Sequence, residues 1–417
     1  MEIKRDIYLQ KLILRKHNGM IKVITGIRRC GKSYLLFNIF KNHLLASGVD
    51  QDHIIELNFD SFENEKYQDP TEAYAYLKSK IVDQEMYYLL LDEIQLLNKF
   101  ESILNSFLRL PNVDIYVTGS NAKFLSKDVI TEFRGRGDQV HVYPLSFSEY
   151  YSIHKGDKNI ALRDYMFYGG LPQIMAITTH EQKKSYLENL FLETYISDII
   201  HRNHIKSDSE LEELLNILSS SIGSLTNPSK LADTFQSMKK VKISAPTIKN
   251  YLDYLSDSFL IDKAMRYDIK GKKYIDTPSK YYFTDLGLRN SRLNFRQIED
   301  SHSLENVIYN ELKLRGFSID VGIVTISEKD SSGKLIRKQL EVDFVCNKAD
   351  IRYYIQSALS LPDKEKLNQE QRSLVNISDS FRKIIITRDN IITHYNEDGV
   401  LMMNLFDFLL NPSLLNS

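Results

Sequence analysis

The chain has 417 residues, enough for two or three domains that each bury a hydrophobic core. Its 54 basic and 55 acidic side chains nearly cancel, which excludes a protein that coats nucleic acid by bulk charge. No apolar run reaches about 18 residues and the N-terminus lacks the pattern of a signal peptide. We therefore expect a cytoplasmic protein without a membrane-spanning helix.

The first predicted strand, residues 21–25, is followed by the sequence Gly-Ile-Arg-Arg-Cys-Gly-Lys-Ser at positions 26–33. This sequence fits the nucleotide-binding pattern G-x-x-x-x-G-K-[ST] without a mismatch. Its two glycines let backbone N–H groups point at a triphosphate, and the helix that follows adds its positive end. We expect Lys32 to contact the β and γ phosphates and the Ser33 hydroxyl to bind Mg²⁺. The residues predicted to bind ATP here are Gly26, Arg28, Arg29, Cys30, Gly31, Lys32, Ser33 and Tyr34.

A later apolar strand begins near Met86 and ends in two carboxylates, Asp92 and Glu93. This arrangement is typical of the Walker B segment of nucleotide hydrolases. We expect Asp92 to hold the water shell of Mg²⁺ and Glu93 to polarise the attacking water. Many α/β proteins begin a loop in this way, so the prediction of ATP hydrolysis rests on the pairing with the loop at Gly26.

The strand predicted at residues 113–118 ends in small polar residues. At this edge of the sheet a polar side chain can contact the γ phosphate or the attacking water. Ser120 is the first candidate for this role and Asn121 the second. Ser120 also suits the N-cap of the helix predicted after it, and both roles can hold at once.

Two arginines, Arg134 and Arg136, come just before the next predicted strand, at residues 139–145. A guanidinium at this place can stabilise the charge that develops on a transferred phosphoryl group. Arg136 is the preferred candidate, acting either in its own subunit or in a neighbouring one. The alternative is a solvated loop arginine with no catalytic role.

Residues 211–282 follow the order of a winged helix, with three predicted helices and then a hairpin. Ser244 is the expected N-cap of the third helix. Its buried face is predicted at Ile248, Tyr251, Leu252 and Leu255. The residues expected to face DNA are Thr247, Lys249 and Asn250 on this helix and Lys270, Lys272 and Lys273 near the hairpin tip. A winged helix that binds a protein, or only braces an ATPase, is the alternative.

The last part of the chain carries a different arrangement, with Glu305 on a helix, Asp343 on one strand and Gln356 on the next. Nucleases of the restriction-endonuclease fold hold Mg²⁺ with such a layout. They also need a lysine two residues after the second-strand carboxylate or amide, and this position is Ala358. We therefore predict a nuclease-like fold that has lost cleavage, unless a neighbouring lysine such as Lys348 substitutes in space.

Several sequences of this chain, taken together, resemble those of prokaryotic AAA-type ATPases with a C-terminal domain of unknown function. They are the phosphate-loop and Walker B sequences, Thr118-Gly-Ser120, Gly135-Arg136, Tyr-Pro-Leu-Ser-Phe at 143–147 and Gly-Gly-Leu-Pro at 169–172. The resemblance implies an α/β core with a parallel sheet in the order 5-1-4-3-2, a helical lid and a winged helix. It also implies that Pro172 lies against the adenine. The domains expected are the AAA core (1–150), the lid (151–207), the winged-helix region (208–294) and the nuclease-like domain (295–417).

Two functions are compatible with these patterns. The first is an ATPase switch with ATP and Mg²⁺, in which the nucleotide positions the winged helix and the C-terminal domain on a protein partner. The second is an ATP-regulated protein that binds or cleaves DNA. Ala358 favours the first. No membrane partner is expected, and the patterns leave open whether the chain forms an oligomer.

Overall fold

The computed structural model describes residues 3–119, 135–206, 208–239, 242–296, 299–329 and 333–415. Its contacts divide the chain into two compact units. The first unit comprises Met1–Leu145, Leu171–Gln173 and Asp257–Leu260, and the second comprises Ser146–Gly170, Ile174–Ser256 and Ile261–Ser417. The finer division into four domains stays a prediction. No helix in the described ranges is long and apolar enough to cross a membrane.

The first unit is built on a parallel sheet of five strands. These are β1 (Ile21–Thr25), β2 (Ile54–Asn58), β3 (Tyr87–Asp92), β4 (Val113–Thr118) and β5 (Gly137–His141). Their order is β2-β3-β4-β1-β5, which confirms the order 5-1-4-3-2. Every residue of β1, β3 and β4 is buried, as parallel strands covered by helices on both faces require. The carboxyl ends of these three strands meet at one edge of the sheet, where ligands of such folds bind.

The helices in the described residues of the first unit are α1 (Asp6–Ile13), α2 (Lys32–Tyr34), α3 (Lys41–Ala46), α4 (Pro70–Lys80) and α5 (Phe100–Phe107), and a π-helical stretch, Leu35–Phe40, joins α2 to α3. Their sequences explain their positions. Asp69 caps α4 by accepting hydrogen bonds from the N–H groups of Thr71 and Glu72, and Pro70 opens its first turn. The apolar residues of α5 recur at helical spacing and pack into the same core as β3.

In the second unit the helices begin with α6 (Phe147–Ile153) and continue as α7 (Lys158–Tyr168), α8 (His180–Asn189), α9 (Ser197–Asn203), α10 (Asp208–Ser220), α11 (Pro228–Lys239), α12 (Ala245–Asp257), α13 (Leu286–Arg292), α14 (Asp300–Leu314), α15 (Lys364–Val375) and α16 (Leu405–Leu410). The expected N-cap of α12 is confirmed, because Ser244 Oγ accepts the N–H of Thr247 at 3.2 Å. The expected buried face of α12 is confirmed as well.

The second unit contains an eight-stranded mixed sheet. Its strands are β6 (Ile261–Asp268), β7 (Lys273–Phe283), β8 (Ser318–Lys329), β9 (Leu335–Lys348), β10 (Ile351–Ala358), β11 (Arg382–Thr387), β12 (His394–Tyr395) and β13 (Leu401–Asn404). They lie in the order β12-β13-β11-β10-β9-β8-β6-β7. The expected hairpin is present as β6 and β7, but β6 also pairs in parallel with β8. The hairpin is therefore continuous with the sheet of the C-terminal part, which the sequence did not indicate.

Two helices pack on this sheet with different kinds of contact. Leu374 of α15 lies in an apolar cluster with Val342 and Tyr354. In contrast, α14 brings Tyr309 against Tyr282 of β7, with the ring centroids 4.0 Å apart. It also buries Glu305, whose carboxylate lies among polar groups of the sheet.

Candidate functional site

The loop between β1 and α2 has a backbone that favours glycine at two positions. Gly26 has a φ of +138° and Gly31 a φ of +98°, conformations that residues with a side chain rarely adopt. A Cβ at Gly26 would also lie 2.0 Å from the carbonyl oxygen of Val142. The two glycines of the nucleotide-binding pattern are therefore required by the shape of the loop.

The side chain of Lys32 lies inside this loop. Its ammonium group donates hydrogen bonds to the carbonyl oxygens of Gly26, at 3.0 Å, and Ile27, at 3.1 Å. These acceptors are neutral, whereas phosphate oxygens form stronger charge-assisted bonds with a lysine. The loop thus holds a buried positive charge. A bound polyphosphate can replace the two carbonyl oxygens of the loop as the hydrogen-bond acceptor of this ammonium group.

Asp92, the last residue of β3, is 3% exposed. Its carboxylate accepts a hydrogen bond from the hydroxyl group of Thr118, and the side chain of Ser33 lies beside it. Burial raises the pKa of Asp92, and the neighbouring side chains of Thr118 and Ser33 act in the opposite direction. The two residues predicted to bind Mg²⁺, Ser33 and Asp92, are therefore neighbours. Oxygen ligands of this kind suit Mg²⁺, so the residues present fit the ion.

Glu93 is half-buried and has a left-handed backbone, with a φ of +50°. Its N–H donates to Oγ1 of Thr118 at 3.1 Å, and its carboxylate accepts a hydrogen bond from the amide of Gln95. Thr118 thus contacts both acidic residues. Thr118 and Gln95 were not among the predicted site residues. The expected strand order places the end of β4 beside the end of β3, but it does not distinguish Thr118 from the polar residues that follow it.

The remaining predicted residues of the loop differ in exposure. Arg28 is half-buried, while Arg29, Ser33 and Tyr34 are exposed. Cys30 is fully buried, and its thiol donates to the carbonyl oxygen of Val142 at 3.3 Å.

Of the two other residues proposed to be catalytic, Arg136 and Ser120, the structure describes only Arg136. Arg136 is exposed, and its carbonyl oxygen accepts the N–H of Ile21 at 2.8 Å, at the amino end of β1. The loop glycines lie beyond the other end of this strand. Ser120, like Asn121 and Arg134, lies outside the described residues. Both roles stay predictions.

Pro172 lies beside the phosphate loop, because a Cβ built on Gly31 would be 3.8 Å from its Cγ atom. Gly169 and Gly170 precede it in the same motif and belong to the second unit. The N–H of Gly170 donates to the carboxylate of Asp285 at 2.7 Å. A Cβ at Gly169 would lie 2.1 Å from the same carboxylate.

The residues proposed to face DNA lie at the surface of the second unit. Lys249 and Asn250 of α12 are exposed, and Thr247 is half-buried. Lys270, Lys272 and Lys273 are exposed at the turn between β6 and β7. The ammonium group of Lys270 donates to the carbonyl oxygen of Thr325 on β8, at 3.1 Å.

Two of the nuclease-like residues, Glu305 and Asp343, lie beside a lysine that sequence reasoning missed. The ammonium group of Lys280, on β7, lies 2.8 Å from Glu305, 2.7 Å from Glu341 and 4.0 Å from Asp343. Burial alone would lower the pKa of Lys280, but Glu305, Asp343 and Glu341 together raise it. Burial and the neighbouring Glu305 raise the pKa of Asp343. Lys280 comes from the hairpin assigned to another domain, which is why its role was not foreseen.

The other two candidates of this region, Gln356 and Lys348, make different contacts. The side-chain oxygen of Gln356 accepts the backbone N–H of Asp343 at 3.3 Å. Lys348, proposed as a substitute for the missing nuclease lysine, donates to the carbonyl oxygen of Arg315 at 2.8 Å. Among the described residues it is Lys280, and not Lys348, that forms ion pairs with Glu305 and Glu341.

The sequence of this chain matches two protein family models and is similar to known proteins. A family model described as an AAA domain matches residues 18–151, and one described as a domain of unknown function matches residues 159–299. The chain is 36% identical to an uncharacterized protein of Haemophilus influenzae, over 98% of each chain. It is 30% identical to the uncharacterized protein MJ1544 of Methanocaldococcus jannaschii, over 95% of this chain and 86% of that protein.

Among solved structures, the Walker-type ATPase paby2304 of Pyrococcus abyssi aligns with a TM-score of 0.51 and 16% identity. The alignment covers 70% of this chain and 96% of that chain. At this identity the likeness shows the fold alone, which is shared with that Walker-type ATPase.

Proposed function

Because this chain belongs to one family with the relatives from H. influenzae and M. jannaschii and carries an AAA domain, we propose that it binds ATP with Mg²⁺ and hydrolyses it. The observation that carries the proposal is the meeting of the phosphate loop with Asp92. Ser33, at the start of the helix, lies beside this buried carboxylate at the end of strand β3. A magnesium nucleotide needs both groups at one place.

The proposal gives roles to the phosphate loop and to the residues around it. The loop N–H groups and Lys32 bind the phosphates, Ser33 and Asp92 hold Mg²⁺, and Pro172 lies against the adenine. When bound, Mg²⁺ neutralises part of the charge on the triphosphate. Glu93 orients the attacking water and accepts its proton. We keep Ser120 as the contact to the γ phosphate. Because Arg136 lies at the amino end of β1, away from the loop of its own chain, we propose that it stabilises the developing charge in the site of a neighbouring subunit.

The first test is the binding of ATP. Lys32→Ala removes the buried ammonium group of the loop, and we expect it to weaken the binding of magnesium ATP by about a hundredfold. Isothermal titration calorimetry of the full chain measures this loss. Lys78→Ala, at an exposed position of α4, is the matched control and should bind ATP like the parent protein. Equal affinity in both variants would remove the proposed role of the loop.

We further propose that the nucleotide acts as a switch on the second unit and its partner. Pro172 lies beside Gly31, and the chain leads directly from it to Gly170, which is anchored to Asp285. Asp285 also caps α13 by accepting the N–H of Leu288 at 3.0 Å. A nucleotide that displaces Pro172 therefore moves a segment that is hydrogen bonded to Asp285, the N-cap residue of α13 in the second unit. The partner is a protein in this proposal.

DNA is the alternative partner, and the exposed lysines between β6 and β7 favour it. Changing Lys270, Lys272 and Lys273 together to glutamate should weaken DNA binding by about tenfold or more and reduce its dependence on salt. Fluorescence anisotropy with labelled duplex DNA at several salt concentrations tests this. The control makes the same charge change at other exposed lysines of the second unit, Lys155, Lys206 and Lys364. No measurable affinity in the parent protein contradicts DNA binding, and an equal loss in the control contradicts the role of the three lysines.

A further inference from the structure

The charged centre around Lys280 joins three elements of the second unit. Lys280 lies on β7, Glu305 on α14, and Glu341 and Asp343 on β9. Lys280 is 3% exposed, and Glu305 and Asp343 are nearly as buried, whereas the side chain of Glu341 retains 36% of its exposure. A buried lysine is stable as a cation only when carboxylates surround it. Here three of them do so.

The position of the ammonium group decides what else this centre can hold. A Mg²⁺ ion binds carboxylate oxygens at about 2.1 Å and must lie between them. The nitrogen of Lys280 lies in that place, at 2.8 and 2.7 Å from oxygens of Glu305 and Glu341. A divalent ion there would be within about 3 Å of a positive charge, which repels it strongly. The residues present therefore do not fit the metal that a nuclease-like centre implies.

The neighbouring groups complete the centre without a metal. The hydroxyl of Tyr282 donates to Glu305 at 2.6 Å, to the same oxygen that Lys280 contacts. The second oxygen of Asp343 accepts the N–H of Ser357 at 2.8 Å. Within the described residues, no group of histidine, cysteine, aspartate and glutamate side chains has the arrangement of a metal site. Hydrogen bonds from the protein thus occupy oxygens that a metal would otherwise bind.

We propose that the ammonium group of Lys280 takes the place of the divalent cation in this centre, which closes it to Mg²⁺ and Mn²⁺. The centre then joins β7, β9 and α14 by charge and does not cleave phosphodiesters. This inference does not depend on the ATPase proposal, because no residue of the phosphate loop takes part. The predicted loss of cleavage would then have a second cause, besides the missing lysine at position 358.

The test measures Mn²⁺ binding to the full chain by electron paramagnetic resonance. All proteins carry Asp92→Asn, so that the proposed nucleotide site does not contribute. With Lys280 present, we expect no Mn²⁺ bound at this centre. Lys280→Met removes the positive charge and leaves the carboxylates in place, so the affinity for Mn²⁺ should rise on the order of a hundredfold or more. Adding Asp343→Asn to Lys280→Met should abolish that gain. Lys263→Met, at an exposed position of β6, is the control and should gain no site.

Two results would overturn the proposal. One is a Mn²⁺ ion bound with Lys280 present and lost in the Asp343→Asn single change. The other is a folded Lys280→Met protein, judged by circular dichroism, that binds no more Mn²⁺ than the control. If Lys280→Met does not fold, Lys280→Gln is used in its place, because glutamine is a neutral hydrogen-bond donor. The Mn²⁺ titration of the protein that keeps Lys280 tests the proposal in either case.

Discussion

Replacing Glu93 with glutamine is expected to leave magnesium ATP bound but to slow its hydrolysis by about a hundredfold or more. Glutamine has nearly the same shape as glutamate but cannot accept a proton from water. The backbone around it should stay in place, because the N–H of Glu93 is held by Thr118 and not by its own side chain. The loss should therefore appear in kcat, and the affinity for ATP should remain within about a factor of three.

Steady-state release of phosphate and calorimetric titration with ATP together test this expectation. The matched control is Glu63→Gln, an exposed glutamate of the first unit, which should hydrolyse ATP at the parent rate. Lys32→Ala should differ from Glu93→Gln, because it should lose affinity for ATP, whereas Glu93→Gln should lose only hydrolysis. If Glu93→Gln keeps the full rate, another group activates the water and the assignment of Glu93 is wrong.

Replacing Gly169 with alanine should destabilise the second unit by about 3 kcal/mol or more. Its φ of +76° is a conformation that alanine rarely adopts, and the new Cβ would lie 2.1 Å from the carboxylate of Asp285. To relieve this clash the carboxylate must move, and its hydrogen bonds to Gly170 and Leu288 are then lost. Backbone strain and lost hydrogen bonds therefore add.

Chemical unfolding, followed by circular dichroism, measures the difference. Gly399→Ala is the control that separates strain from the clash. Gly399 also lies in the second unit and has a φ of +72°, but a Cβ there meets nothing within 4 Å. We expect it to cost only about 1 kcal/mol. Equal costs at the two glycines would mean that Asp285 can move without loss.

The first unit illustrates what a sequence pattern can predict. The phosphate loop follows from eight consecutive residues, and local geometry explains both glycines. The sheet order came from the family resemblance, and the structure confirms it. Thr118 escaped prediction because the choice between it and Ser120 depends on how β4 lies against β3. Only the register of the two strands, with Leu91 beside Val117, places Thr118 next to Asp92.

The second unit shows where sequence patterns are insufficient. The helices and the hairpin between residues 208 and 283 occur in the expected order. However, β6 pairs with β8, and this contact is not encoded in any local pattern. Lys280 reaches Glu305 and Asp343 through that shared sheet. A charged side chain in a strand is normally taken as exposed, so its burial becomes evident only when the tertiary contacts are known.

The short segment Asp257–Leu260 has a practical consequence for work on fragments of this protein. It belongs to the first unit although it lies more than one hundred residues beyond the end of β5. Its Phe259 packs against the core of that unit, with its ring 4.7 Å from that of His141. An isolated AAA fragment that stops near residue 150 would lack both this ring and Pro172. Nucleotide affinities measured on such a fragment would therefore describe an incomplete protein.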